Sequence, residues 1–189
     1  MSALQRLGTG FVGVTQLSPQ VDDQELNKLD RAGVRGVRFN LYRGGSESLS
    51  EMDRFARRVH EQLGWHAEFY LTGETLMNLE SRLAALPAVA IDHLGLTAEG
   101  GAALRRLVEK GVRVKACGFG RVDFPIERRL KDLNDAHPGC LMFGTDLPST
   151  RAPRAFLDSD IDRIVDTLGN AAAERVLCDN ARVFYRIRS

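Results

Sequence analysis

The stretch GVRGVRFNLY, residues 33–42, has the two-residue alternation of a β-strand whose two faces differ. One face is mostly apolar and consists of Arg35, Val37, Phe39 and Leu41. The other face consists of Gly36, Arg38, Asn40 and Tyr42. Because alternate side chains of a barrel strand point into the barrel, we predict that this second face points inward and helps to form a site.

The next apolar run along the chain, His66–Leu71, divides in the same way. Its outward face would carry Ala67, Phe69 and Leu71, and its inward face would carry His66, Glu68 and Tyr70. Buried polar groups need partners, so two adjacent strands with polar inner faces favour a cavity that binds a polar ligand. The pattern leaves solvated edge strands open as the alternative.

Six apolar runs of strand character recur along the chain, with segments of helical periodicity between and after them. The predicted strands are Phe11–Leu17, Val34–Tyr42, His66–Leu71, Ala88–Leu94, Val112–Cys117 and Cys140–Asp146. The predicted helices are Asp22–Ala32, Leu49–Leu63, Thr75–Leu86, Gly100–Lys110, Pro125–Ala136, Ile161–Leu168, Ala172–Cys178 and Ala181–Tyr185. This alternation predicts an α/β fold with parallel strands.

Two architectures fit alternating strands and helices, a closed TIM-type barrel and an open doubly wound sheet. The G-x-G-x-x-G motif that is typical of doubly wound dinucleotide-binding sheets is absent, because Gly118-Phe-Gly120 lacks the third glycine. We therefore favour a TIM-barrel-like (β/α) fold. A full barrel has eight βα units, and the sequence shows six, so we expect an incomplete or modified barrel.

Length and composition predict one globular domain over residues 1–189, with 43% hydrophobic and 27% charged residues. The net charge is +1, and basic residues are spread among acidic ones, which predicts no nucleic-acid partner and no membrane partner. Met1–Gly10 lacks the pattern of a signal peptide. Three scattered cysteines, Cys117, Cys140 and Cys178, suit a reducing compartment, so we expect a cytoplasmic protein.

Two predicted strands end in side chains that can carry out chemistry. His93 follows the apolar run after residue 88, and a neutral imidazole there can bind a metal, hold a carbonyl oxygen or transfer a proton. Asp146 ends the last strand and can bind a metal or take a proton from water. Because functional groups gather at the carboxyl ends of barrel strands, we predict that both share one pocket. A structural histidine and a helix-capping aspartate remain the alternatives.

Six phrases, taken in order, resemble the amidohydrolase superfamily, particularly its branch that contains 2-pyrone-4,6-dicarboxylate lactonase. The phrases are GVRGVRFNL (33–41), GWH (64–66), IDHLG (91–95), Val114-Lys115 with Gly118 and Arg121, FGTDLP (143–148) and NARVFY (180–185). The resemblance covers nearly the whole chain. It implies a TIM-barrel hydrolase that cleaves a small carboxylated lactone, ester or amide.

The resemblance also implies roles for individual residues. Asp146 would activate the attacking water, and His93 would help to polarise the scissile carbonyl. Arg38 and Arg121 would hold substrate carboxylates with their planar guanidinium groups. Tyr70 would be a further substrate contact. Asn40 is a candidate contact on different grounds, because it lies on the inward face of its strand.

One feature of the family is missing from this sequence. The family's barrels begin with a strand that ends in His-x-His, and the chain contains no such motif. Matching the strands in order places Phe11–Leu17 at the family's third strand, so we expect either a shortened relative or a start upstream of Met1. A catalytic zinc takes three protein ligands, and only His93 and Asp146, with His66 at most, are candidates. We therefore expect a divalent metal such as zinc to be weakly bound or absent.

Two other functions stay open for this sequence. One is a metal-dependent decarboxylase of the same superfamily. The other is a barrel fragment without catalytic activity that binds an anionic ligand or another copy of the chain. An incomplete barrel leaves two sheet edges, which pairing between protomers could cover. The expected partners are thus a small-molecule carboxylate substrate and, in a homo-oligomer, a second copy.

Overall fold

A six-stranded parallel sheet forms the centre of the protein in our computed structural model, which describes residues 2–8, 10–43 and 49–187. The strands are β1 (Gly13–Thr15), β2 (Val34–Asn40), β3 (His66–Tyr70), β4 (Val89–Ile91), β5 (Arg113–Cys117) and β6 (Leu141–Gly144). Their spatial order is their chain order, and the sheet curls into a half-barrel. A doubly wound sheet would reverse its strand order. The TIM-barrel-like, incomplete fold is therefore confirmed.

Helices alternate with the strands. They are α1 (Ser2–Leu7), α2 (Asp23–Arg31), α3 (Leu49–Leu63), α4 (Gly73–Ala84), α5 (Gly101–Glu109), α6 (Ile126–Ala136), α7 (Ser159–Leu168), α8 (Asn170–Glu174) and α9 (Asn180–Phe184). A 3₁₀ turn covers His93–Gly95, and a π-helical turn at Arg175–Asp179 joins α8 to α9. Helix α1 was not predicted. Across the described segments, none of the helices has the length and apolar character that a membrane span requires.

The two faces of β2 and β3 are divided as the alternation predicts. On the helix side, Val37 and Phe39 are buried, and the Phe39 ring stacks on Phe69 at a centroid distance of 5.2 Å. The Phe55 ring of α3 meets Phe39 edge-on. On the opposite face, Arg38 of β2 points inside the curl, where it lines a cavity. The apolar face therefore holds α3 against the sheet, while the polar face is free to form a site.

The carboxyl-terminal segment packs inside the curl of the sheet. The rings of Phe184 and Tyr185 lie 4.5 Å and 5.1 Å from the ring of His66, measured between centroids. Asn180 donates hydrogen bonds from Nδ2 to the main-chain carbonyls of Leu141 at 2.8 Å and Pro138 at 3.1 Å. Because β6 is an edge strand, the bond to Leu141 satisfies a carbonyl that has no neighbouring strand. The segment thus covers part of the half-barrel's open side.

The loop after β4 packs directly against the start of α4, and a glycine makes this approach possible. A Cβ atom on Gly100 would lie 2.5 Å from the Cα atom of Gly73. We expect Gly100→Ala to lower the free energy of unfolding by about 1–3 kcal/mol, because main-chain atoms must shift. Urea unfolding measures this change. Gly10→Ala is the control, since its new Cβ meets nothing within 4 Å, and equal losses in both variants would contradict the interpretation.

Candidate active site

A cavity of about 640 Å³ lies at the carboxyl ends of the strands. The polar residues that line it are Arg38, Asn40, Arg43, Tyr70, Asp92, His93, Lys115, Cys117, Arg121, Asp146, Ser149, Thr150, Arg151 and Tyr185. The structure therefore brings together the two predicted catalytic residues and the four predicted substrate contacts. His93 and Asp146 share one pocket, as the strand-end argument predicts. His66 does not line this cavity.

His93 lies in the 3₁₀ turn directly after β4, in a strained backbone conformation with φ of 50°. Its ring is buried, and the Tyr70 ring lies edge-on at a centroid distance of 5.0 Å. Burial has the largest effect on the pKa of His93 and lowers it from 6.5, although the charges of Asp92 and Asp146 act in the opposite direction. The imidazole is therefore neutral near pH 7 and can act as a hydrogen-bond donor or acceptor.

Asp146 lies just beyond β6, and its backbone is also left-handed, with φ of 60°. Arg121 donates from Nε to Oδ2 of Asp146 at 2.6 Å, and its Nη2 donates to the carbonyl of Thr150 at 3.1 Å. Within the described part of the chain, Oδ1 of Asp146 has no hydrogen-bond partner. Arg121 therefore orients the carboxylate and leaves one oxygen for a water molecule or a ligand.

Asp92, which directly precedes His93, is a site residue that the sequence analysis did not select. Its buried carboxylate accepts a hydrogen bond from Nε of Arg38 at 2.9 Å and forms an ion pair with Nη2 of the same side chain at 2.7 Å. The guanidinium of Arg38 also lies over the Tyr70 ring, 5.1 Å from its centroid. Arg38 is therefore held by a charge and by an aromatic face. The position of Asp92 at a strand's carboxyl end was the sequence signal that could have identified it.

Lys115 forms ion pairs with two acidic side chains at the base of the cavity. It contacts Glu68 directly and lies 3.2 Å from Oδ1 of Asp92. Glu68 is completely buried, and its Oε1 accepts a hydrogen bond from the Tyr185 hydroxyl at 2.9 Å and contacts His66 Nε2 at 3.0 Å. We refer to Glu68, Lys115, Asp92, His66 and Tyr185 as the charge network.

The charges of the network determine how its members titrate. Burial raises the pKa of Glu68, but Lys115 and the hydrogen bond from His66 outweigh it and lower that pKa from 4.5 to about 2. Burial lowers the pKa of Lys115, but Glu68 and Asp92 outweigh it and leave that pKa well above 10.5. Both groups are therefore charged at neutral pH, and each compensates the other.

The donor atoms of the cavity do not fit a catalytic metal centre. Among the described residues, no three His, Cys, Asp or Glu side chains are grouped so that they could hold a metal ion. Asp92 is engaged by Arg38 and Lys115, and Asp146 is engaged by Arg121. His66, the third ligand suggested by the sequence, contacts Glu68 instead.

Two arginines in loops add positive charge that the sequence analysis did not locate. Arg43 follows β2, Arg151 follows β6, and both line the cavity. Neither has a carboxylate partner in the described ranges 2–8, 10–43 and 49–187. Five cationic and two acidic side chains line the cavity in total, so it carries an excess of positive charge. Such a cavity suits an anionic ligand.

Parallel strands with a charged cavity at their carboxyl ends define an α/β protein with a TIM-barrel-like fold. The family model described as Amidohydrolase matches residues 2–187. The chain therefore belongs to the amidohydrolase family, which confirms the resemblance seen in its motifs.

Three proteins illustrate what this chain is similar to in sequence or in fold. A 2-pyrone-4,6-dicarboxylate hydrolase from Comamonas testosteroni is 37% identical over 86 residues, which are 44% of this chain and 28% of that protein. This alignment thus covers little more than a quarter of the curated relative. A Pseudomonas putida structure, provisionally assigned as a 2-pyrone-4,6-dicarboxylic acid hydrolase, is 26% identical, with a TM-score of 0.79 over 100% of this chain and 76% of that one. A structure from Acinetobacter baumannii, described as a probable hydrolase of the same acid with citric acid bound, shares the fold at 22% identity. Its TM-score is 0.79, and the match covers 98% of this chain and 76% of that one.

The charge network predicts how stability depends on pH. Because the pKa of Glu68 is lower in the folded protein than the ordinary value of 4.5, its contribution is fully present above about pH 4.5 and is lost as the pH falls toward 2. We expect Glu68→Gln to lower the free energy of unfolding at pH 7 by about 3 kcal/mol, since it leaves Lys115 only partly compensated. The variant should also lose this acid-dependent contribution.

Urea unfolding of both proteins between pH 2.5 and pH 7 measures this difference. The gap between wild type and Glu68→Gln should narrow as the pH falls. If the free energies of unfolding of the two proteins changed in parallel with pH, Glu68 would not be the source of this acid-dependent contribution.

Proposed function

We propose that this chain is a hydrolase that opens a small carboxylated lactone with a water molecule activated by Asp146. The observation that carries the proposal is the convergence of His93 and Asp146 on one cavity with an excess of positive charge. The Comamonas testosteroni relative is named for 2-pyrone-4,6-dicarboxylate, a cyclic ester with two carboxylates. We therefore choose this compound as the first substrate to test.

Free nitrogen atoms of the arginines would bind the substrate carboxylates. Arg38 uses Nε and Nη2 on Asp92, and Arg121 uses Nε and Nη2 on Asp146 and Thr150. With respect to the described residues, each therefore keeps Nη1 for a carboxylate oxygen. Arg43 and Arg151 add two guanidinium groups at the mouth of the same cavity. Tyr70 and Asn40 would contact the ring of the substrate.

The proposed reaction uses the carboxylate and the imidazole in different roles. Oδ1 of Asp146 accepts a proton from water while the water oxygen attacks the lactone carbonyl carbon. His93 donates a hydrogen bond to the carbonyl oxygen, on which negative charge develops. Collapse of the tetrahedral intermediate breaks the ring C–O bond, and the proton held by Asp146 passes to the released ring oxygen. The new carboxylic acid then loses its own proton to solvent, which leaves a carboxylate and restores the Asp146 carboxylate. The loss of one such donor costs about 10²–10³ in rate in other enzymes.

Binding without turnover is the second candidate function. It is favoured by the lining of the cavity, in which His93 is the one imidazole among the described residues that could stabilise the developing oxyanion. A decarboxylase of the same superfamily would need metal ligands beyond the donors described above. Pairing of two copies through the sheet edges stays a prediction, which light scattering tests.

We expect Asp146→Asn to lower kcat for 2-pyrone-4,6-dicarboxylate by about 10³ or more, because the amide cannot accept the proton from water. Its KM should stay within a few-fold of the wild-type value. Asp162→Asn, on the exposed face of α7, is the matched control and should leave both constants unchanged. Ring opening followed by ultraviolet absorbance measures the rate.

The outcomes of this assay separate the two candidate functions. Unchanged hydrolysis by Asp146→Asn would disprove the role of Asp146 as the base. Tight binding in calorimetry, with no turnover by the wild-type chain, would favour binding alone.

We expect Arg43→Gln to raise KM for the dicarboxylate roughly tenfold, because it removes one charged hydrogen-bond donor from the cavity. The increase in KM should be smaller for a lactone that has a single carboxylate. Arg128→Gln replaces an exposed arginine of α6 and serves as the control. Equal effects of Arg43→Gln on both substrates would show that Arg43 does not bind the second carboxylate.

A further inference from the structure

The imidazole of His93 is enclosed on three sides by groups that fix its orientation. The Sγ atom of Cys117 lies 3.3 Å from Nδ1. On the next residue, Gly118, a Cβ atom would lie 2.5 Å from Nδ1 and 3.1 Å from Cε1, so the main chain passes directly beside the ring. The Tyr70 ring closes the third side. Because Nδ1 is occupied by the thiol, Nε2 is the ring nitrogen left to the cavity.

The protonation states of the two partners allow the thiol to be the donor in this hydrogen bond. Burial raises the pKa of the Cys117 thiol to about 12, so sulfur keeps its proton at neutral pH. Burial also lowers the pKa of His93, so the ring is neutral and one of its nitrogens has a free lone pair. A thiol is a weak donor, but sulfur is also a weak acceptor, and a neutral imidazole nitrogen is a better acceptor than sulfur. The main-chain carbonyl of Cys117 also contacts the imidazole and raises the pKa of His93, so it competes with the thiol for a ring nitrogen. Donation from the thiol to Nδ1 is the arrangement that pairs the sulfur proton and leaves both side chains neutral.

We propose that Cys117 is a positioning residue whose thiol donates a hydrogen bond to Nδ1 of His93 and keeps the imidazole proton on Nε2. The catalytic consequence rests on the proposed function, in which His93 stabilises the developing oxyanion. With the proton on Nε2, the ring presents a donor to that oxygen. With the proton on Nδ1, it would present a lone pair and repel the same charge. Cys117 itself does not react, because it remains a neutral thiol.

The position of the ring proton can be measured directly in the full chain. Nitrogen-15 NMR of histidine-labelled protein at pH 7.5 distinguishes a protonated ring nitrogen from one with a lone pair, and His93→Gln identifies the signals of His93. We expect wild-type His93 to show a lone pair on Nδ1 and a proton on Nε2. In Cys117→Ala, we expect a mixture of the two tautomers.

Kinetics of the same variants test the consequence for catalysis. Cys117→Ala should lower kcat roughly ten- to a hundredfold with little change in KM, since losing a group that orients a catalytic side chain has effects of this order or larger. Cys117→Ser keeps a donor at the same position and should retain both the tautomer and most of kcat. A role in packing alone would not distinguish serine from alanine in this way.

Cys140→Ala is the matched control. Cys140 is also a buried thiol with a pKa raised by burial to about 12, but its Sγ donates to the carbonyl of Leu133 at 3.2 Å, and it does not line the cavity. This variant should change neither the tautomer nor kcat, whatever it does to stability.

Either of two results would overturn the proposal: a proton on Nδ1 in wild-type His93, or an unchanged tautomer and kcat in Cys117→Ala. If Cys117→Ala does not fold, the wild-type and Cys117→Ser spectra still test the proposal, because both must show the proton of His93 on Nε2. If wild type hydrolyses no lactone, the proposed function fails, while a tautomer that depends on Cys117 would still support the positioning role.

Discussion

The ion pairs of Lys115 with Glu68 and Asp92 support the side of the cavity that includes His93. Asp92 holds Arg38 and directly precedes His93, so its position affects both a candidate substrate contact and the candidate imidazole. Glu68 is completely buried and would be an uncompensated charge without Lys115. A buried polar network of this kind favours one arrangement of its members only if every charge is paired. The cavity thus depends on a balance of charges that lies beneath it.

Backbone strain is concentrated where the candidate chemistry lies. His93 and Asp146 both have positive φ, which costs on the order of 1 kcal/mol or more at a non-glycine residue. Such conformations persist where surrounding contacts fix them, and each of these residues has such contacts. Cys117 holds the ring of His93, and Arg121 holds the carboxylate of Asp146. The same contacts that maintain the strained turns also aim the two side chains into one cavity.

Much of this architecture could be predicted from the sequence because strand alternation and strand ends are local signals. Alternation alone assigned Arg38 and Tyr70 to the inner face, and strand ends alone selected His93 and Asp146. Arg151 could not be found in this way, because a loop's path depends on tertiary contacts that no periodicity records. His66 shows that a correctly predicted orientation does not by itself give a residue's role. Its inward position was predicted from the alternation. Because its ring contacts Glu68, however, His66 belongs to the charge network and does not line the cavity.

The carboxyl-terminal segment links the incomplete barrel to the candidate site. A curled sheet of six strands exposes an inner face that other strands would cover in a full barrel. Here the rings of Phe184 and Tyr185 cover His66, and Asn180 satisfies a carbonyl of edge strand β6. The Tyr185 hydroxyl donates to Glu68, and Tyr185 also lines the cavity. Displacing this segment would therefore remove a hydrogen bond from the charge network and open the base of the cavity to water. The segment that covers the open half-barrel is thus also part of the site.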